Sequence, residues 1–301
     1  MSDQISTVRE YFEQLATAFA ASDRAVAQDA TYDAQEFLSD EREALETSGD
    51  GWGEAELVDR LMERFGHPLE VVENYQATEA QVAAALAQPP VRQGPGLFSR
   101  IFSVFVDPRS YGALFFMLLS LPLGVLYFTW AVTGIALSIG LGVLIFGFVF
   151  FLFFMSTVRA VALVDCRIVE ALLGERMPRR PPVVAPRGSW MERVRFWISD
   201  GRTWLTILYM LLRMPLGVIY FFIATVFLVF AMTLIAAPFV QLVLDYPIVQ
   251  IFGARYFVPF WILPIFWLGG VFDLLVLMHL ARFIGRLHAR LAKSMLARPG
   301  A

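Results

Sequence analysis

The pattern of apolar and polar positions changes character near residue 110. Before it, apolar residues recur every three or four positions among acids, the spacing of helices that bury one face. Over residues 4–21, Val8, Tyr11, Phe12, Leu15 and Phe19 share such a face. A second amphipathic stretch covers about 25–45, with Tyr32, Phe37, Leu38 and Leu45 apolar among many acids. Residues 48–53 read as a glycine-rich turn. A third helix starts near Glu54 with Leu57, Leu61, Met62 and Phe65 as its stripe, and Gly66 and Pro68 stop it. A fourth runs over about 69–86.

Beyond residue 110 the apolar positions become continuous. A membrane-crossing helix needs roughly 20 of them. Residues 111–163 hold no charge before Arg159, room for spans at about 112–133 and 138–162, and two more fit at about 204–236 and 258–281. The expected fold is therefore all-α: a small N-terminal cytoplasmic helical bundle and four transmembrane helices in two hairpins. The hairpins repeat. Residues 107–128 return at 200–221 with a constant offset of 93, matching Asp107 to Asp200, Arg109 to Arg202, and Pro122-Leu123-Gly124 to Pro215-Leu216-Gly217. Apolar runs resemble one another by chance, but a shared Asp-x-Arg start and Pro-Leu-Gly core in register do not. Later the offset becomes 123, matching Arg159 to Arg282 and Arg167 to Arg290. About 30 extra residues thus sit in the second outer connection, around 238–264, which is rich in aromatic residues and proline and suits the headgroup region.

Charge separates the two parts. Residues 1–96 carry a net −13 and residues 97–301 a net +10, which places them in different surroundings. The arginines concentrate between the second and third spans and after the fourth. By the positive-inside rule both termini and the middle loop face the cytoplasm, and the hairpins are parallel copies about an axis along the membrane normal. The domains divide as an acidic bundle, 1–87; a Pro/Gly linker, 88–99; a first hairpin with a basic amphipathic helix, 100–177; a Pro/Arg linker, 178–192; and a second hairpin with its basic helix, 193–298. Each basic helix suits an anionic inner leaflet, so the lipid bilayer is one expected partner. The acidic bundle is expected to dock on the arginines of 159–180 or 282–298. Localisation follows as a membrane with both termini in the cytoplasm.

Few residues carry candidate chemistry. Asp107 and Asp200 stand where they cap the first helix of each hairpin, and Arg109 and Arg202 where they anchor it at the interface. Pro122 and Pro215 kink their spans, and Gly124 and Gly217 let a neighbour approach, so these four are hinge or packing positions. Arg213 and Asp273 are charges inside spans, which are costly unless paired. Both lie about 12–14 Å from the cytoplasmic end at 1.5 Å per residue, so an intramembrane ion pair between them is expected. The first hairpin has Ser120 and Phe150 at the matching positions. The single cysteine, Cys166, and the absence of any phosphate loop, nucleophile elbow or metal-binding helix predict no catalytic, cofactor or metal residue, and not an enzyme.

Two resemblances add to this reading. The opening Tyr11-Phe12-x-x-Leu15, the acidic middle, and Glu56-Leu57-x-x-x-Leu61 leading to Phe65-Gly66-His67-Pro68 resemble the HAAS signalling domain. Residues 100–297 resemble the sensor domain of bacterial signal-transduction proteins. There too an Arg-Ser/Thr-Tyr/Trp start leads twice into a Pro-Leu-Gly core, each hairpin followed by an Arg-rich helix. That domain often precedes a histidine kinase, and no kinase motif lies within these 301 residues. The resemblance implies a non-enzymatic sensor or signalling accessory of a bacterial cytoplasmic membrane, acting through an unidentified protein partner or as a homo-oligomer, without nucleic acid. The alternative is a subunit of a transporter or channel, or a structural partner of a larger membrane complex.

Overall fold

A computed structural model describes residues 5–48, 53–86, 101–143, 145–181, 184, 189–251 and 254–297. The 88–99 linker and most of the 48–53 turn lie outside them. The bundle comprises α1 (Val8–Ala18), α2 (Arg24–Ser48), α3 (Glu54–Phe65) and α4 (Pro68–Leu86). Thr7 caps α1 by accepting from the Glu10 amide, and Gly66 ends α3 at φ 88°, a left-handed geometry that glycine adopts without strain. The apolar stripes meet in one core of Tyr11, Leu15, Phe19, Ala30, Val58 and Leu61.

The second part holds α5 (Pro108–Gly140), α6 (Ile145–Leu173), α7 (Trp190–Ser199), α8 (Gly201–Leu244) and α9 (Leu263–Leu296). Helices α5, α6, α8 and α9 are each long and apolar enough to cross a membrane, so the chain is an all-α polytopic membrane protein. Strands β1 (Val249–Ile251) and β2 (Ala254–Tyr256) form an antiparallel ribbon between α8 and α9. Gln241 fastens the segment after this ribbon to α8, giving a hydrogen bond to the Val258 carbonyl and taking one from its amide.

Two expectations change here. The basic helices are not separate elements: α6 and α9 run unbroken through Arg159–Arg167 and Arg282–Arg290, because Val169, Ala289, Ala292 and Leu296 on their inner face are buried in the same core. The outer connection is shorter than the extra residues suggested, since α8 absorbs them by continuing to Leu244 through Pro238.

The four long helices pack in pairs related by the sequence offsets. Asp107 caps α5, accepting from the Arg109 amide, and Asp200 caps α8, accepting from the Arg202 and Thr203 amides. Arg282 reaches Asp107 (2.5 Å) and Ser110 (2.6 Å). Arg159, from the first hairpin, reaches Asp200 (3.1 Å) and Thr203 (3.5 Å). Each cap is thus clasped by the arginine of the other hairpin. Tyr111 donates to the Phe105 carbonyl and Trp204 to the Ile198 carbonyl, again 93 residues apart. Asp200→Ala removes both a cap, about 1 kcal/mol, and the carboxylate facing the half-buried Arg159. We expect a lower thermal midpoint than for Glu192→Ala, whose capping box is exposed, with circular dichroism in nanodiscs as the measure.

The contacts also fix the directions of the helices. Within the first hairpin α5 and α6 run oppositely: Trp130 bonds Thr157, and Gly112 lies against the Leu172 carbonyl. Between hairpins, Arg159 and then Asp165 of α6 meet Asp200 and then Tyr209 of α8, advancing together. Likewise Arg282, Gly285 and His288 of α9 meet Asp107, Ala113 and Phe116 of α5 in the same order. Helix α6 therefore runs with α8, and α5 runs against α8. Hairpins standing upright side by side would not give this packing.

Candidate functional site

Where α5 and α8 cross, the backbones touch. A Cβ on Gly124 would lie 2.7 Å from the Arg213 carbonyl oxygen, and one on Gly217 would lie 2.3 Å from that of Ser120. Pro122 and Pro215 stand inside the helices two residues before these glycines. The four packing positions therefore gather at one crossing, and Arg213 and Ser120 face each other across it.

Above that crossing lies a buried polar centre. Arg213 is fully buried, and its guanidinium meets Asp165 of α6 at 3.3 Å. Its other nitrogen is 3.4 Å from the Ser120 hydroxyl, and the group lies 4.7 Å from the Phe116 ring. Tyr209 donates to the second Asp165 oxygen at 2.5 Å. His288 Nε2 lies 3.1 Å from the same hydroxyl. The tyrosine proton is committed to Asp165, so the hydroxyl accepts from His288 Nε2–H, which leaves His288 Nδ1 as the unpartnered nitrogen. Phe116, Tyr209 and Tyr220 surround the imidazole with ring centroids 4.9, 6.1 and 5.7 Å away.

The expected Arg213–Asp273 pair is not formed. Asp165 takes Arg213, and Asp273 is half-buried with one oxygen enclosed and unpartnered among the described residues. The reason is the direction of the helices: α6 runs alongside α8 and delivers its own carboxylate. Asp165, Tyr209 and His288 escaped sequence reasoning because Asp165 and His288 sit in the stretches taken for surface helices. A signal existed. The offset of 123 that matches Arg159 to Arg282 also matches Asp165 to His288, and the offset of 93 matches Phe116 to Tyr209 and Ser120 to Arg213.

Helix α6 leads from this centre to the acidic bundle. After Gly174, at φ 71°, the chain turns back and presents Arg176, Arg179 and Arg180. Asp29 pairs with Arg176 at 2.8 Å and accepts from the Arg179 and Arg180 amides at 2.7 Å each. Burial raises the Asp29 carboxyl above its usual value, and those three donors pull it back. Asp33 pairs with Arg180 and Asp23 with Lys293, the chain's single lysine. The expected docking on basic residues is thus what the contacts give, with Arg176–Arg180 and Lys293 as the receiving groups. Glu170, five residues beyond Asp165, meets Arg179 at 3.4 Å. Arg109 and Arg202 contribute within their own hairpins: Arg202 donates to the Ala297 carbonyl, and Arg109 lies beside Gly174.

Among the described residues no cluster of His, Cys, Asp and Glu has metal-binding geometry. A protein-family model described as "Putative sensor" matches residues 116–296. No curated protein and no solved structure matches the chain.

Proposed function

The chain belongs to the sensor family matched over residues 116–296, and from that membership we propose a non-enzymatic sensor of a bacterial cytoplasmic membrane, termini inside, that passes the state of its hairpins to the acidic bundle and through it to a cytoplasmic protein partner. We further propose that the hairpins are duplicated copies and that the bundle is HAAS-like. The reciprocal clasps at the two caps support the first, and the bundle motif supports the second. One observation carries the functional reading: α6 bears Asp165 in the polar centre and Glu170 against the arginines that hold the bundle. A change in how the hairpins cross moves Asp165, and the bundle seat moves with it.

Lys293 supplies the test. A zero-length carbodiimide joins it to Asp23, 2.7 Å away, and mass spectrometry reads the yield as the docked fraction. Asp29→Arg places a cation against Arg176 and is expected to cut that yield several-fold. Asp165→Asn, at a residue whose partners Tyr209 and Arg213 lie outside the bundle, is expected to change it at least about two-fold, which is about 0.4 kcal/mol of coupling. An Asp165→Asn yield equal to that of the unaltered protein removes the coupling and the proposal with it.

A further inference from the structure

The opposed directions of α5 and α8 conflict with upright helices in a bilayer. If all four stood along the membrane normal, α5 and α8 would start on opposite faces. The connection between α6 and α8, with Arg176, Arg179, Arg180, Arg193 and Arg195, would then cross the hydrocarbon, at a cost of about 2.5–3.5 kcal/mol for each arginine near its centre. Inclined hairpins remove the conflict. Both can enter from the bundle's face and lean away from each other about an axis along the normal. The pseudo-equivalent caps Asp107 and Asp200 then lie at one depth, and these five arginines stay on that face.

Helix length supports this independently. Helix α5 has 33 residues, α9 has 34 and α8 has 44. At 1.5 Å per residue they measure about 50, 51 and 66 Å, against a hydrocarbon core of about 30 Å. Their apolar surface continues along this length: Phe115, Leu126 and Ile139 on α5, and Leu212, Val229 and Val243 on α8, are exposed. Helices this long and this apolar fit a bilayer when tilted.

The geometry points to bilayer thickness as the sensed quantity: the hairpins splay in opposite directions from the Gly124–Gly217 crossing, and a thicker bilayer draws them upright. This rests on the sensor reading above and names its stimulus. A change in splay rotates α5 against α8 at the crossing, where Arg213 holds Asp165, and so reaches the bundle seat along α6. The bilayer itself is the ligand, read through the length of apolar helix it must cover.

The test places spin labels at Gly142→Cys and Tyr246→Cys, one at each hairpin tip, in a Cys166→Ser background. From the crossing to the tips is 18 residues on α5 and 29 along the second arm, which in opposite directions sums to at most about 70 Å. We expect a separation above about 45 Å, shortening by several Å as lipid chains lengthen from about 14 to 22 carbons, with both tips reached by an impermeant thiol reagent from the face opposite Ser189→Cys. A separation under about 30 Å, which is about three helix-to-helix spacings of 8–10 Å and so covers hairpins packed side by side, overturns the inference. Tips labelled from opposite faces, or a separation indifferent to lipid length, overturn it equally. The carbodiimide yield of Asp165→Asn is read in one lipid, so failure of the coupling shows there while the tip distances still respond.

Discussion

Arg213→Met should be the most destabilising single replacement of a charged residue in this chain, by about 3–5 kcal/mol, the range for removing one partner of a buried ion pair. The methionine fills a similar volume, so the loss is not chiefly a cavity. It comes from Asp165, which is 1% exposed and loses its cation while keeping the Tyr209 hydroxyl as a donor. A buried carboxylate without its cation is costly. The companion Arg213→Met/Asp165→Leu removes both charges, and apolar replacement of a complete pair is often neutral or better. We therefore expect the double variant to regain most of the lost thermal midpoint in nanodiscs, while Lys293–Asp23 cross-linking stays altered. A double variant no more stable than Arg213→Met would mean that the cation acts through Phe116 or Ser120 rather than through Asp165. Asp273→Asn serves as the contrast. One of its oxygens is enclosed with no hydrogen-bond partner among the described residues, and neutralising it should not lower stability.

That contrast marks how far the residues alone could be read. The caps were legible because capping is local: Asp107 and Asp200 need only the two or three amides that follow them. The four long helices were legible from apolar length, and the bundle helices from their stripes. Arg213 stood out because a cation within an apolar run demands a partner. The choice of Asp165 over Asp273 depends on which helix lies beside α8, and hydropathy carries no information on that. The positive-inside pattern assigns loops to faces but not the inclination of the helices between them. A register in which α5 opposes α8 was therefore hidden, although the matching offsets of 93 and 123 could be read directly. Continuous α6 and α9 were missed for a related reason: an arginine-rich amphipathic stretch has the same periodicity whether its apolar side faces lipid headgroups or the helices of a packed core.

The closest backbone approach in the crossing gives the second large effect. Gly217→Ala sets a Cβ 2.3 Å from the Ser120 carbonyl oxygen and 2.9 Å from its carbon, whereas Gly124→Ala sets one 2.7 Å from the Arg213 oxygen and 3.0 Å from the Met214 Cα. All of these are backbone atoms that no rotamer change can withdraw, so α5 and α8 must separate. Overpacking of this kind costs about 1–3 kcal/mol, set against about 0.5–1 kcal/mol gained by replacing glycine within a helix. Gly217→Ala should therefore be the more harmful of the two, and Gly140→Ala, with nothing within 4 Å of its Cβ, should be neutral or stabilising. The pair Gly124→Ala/Gly217→Ala should cost less than the two singles combined, because one separation of the helices relieves both clashes and neighbouring sites of this kind are not additive. Thermal midpoints of the four variants in one lipid test the order. If Gly140→Ala and Gly217→Ala lose the same stability, the glycines matter for backbone freedom alone and the close crossing is not the seat of the packing. If the order holds, the same separation should lengthen the Arg213–Asp165 contact, and Gly217→Ala should shift the Lys293–Asp23 cross-link in the direction that Asp165→Asn does.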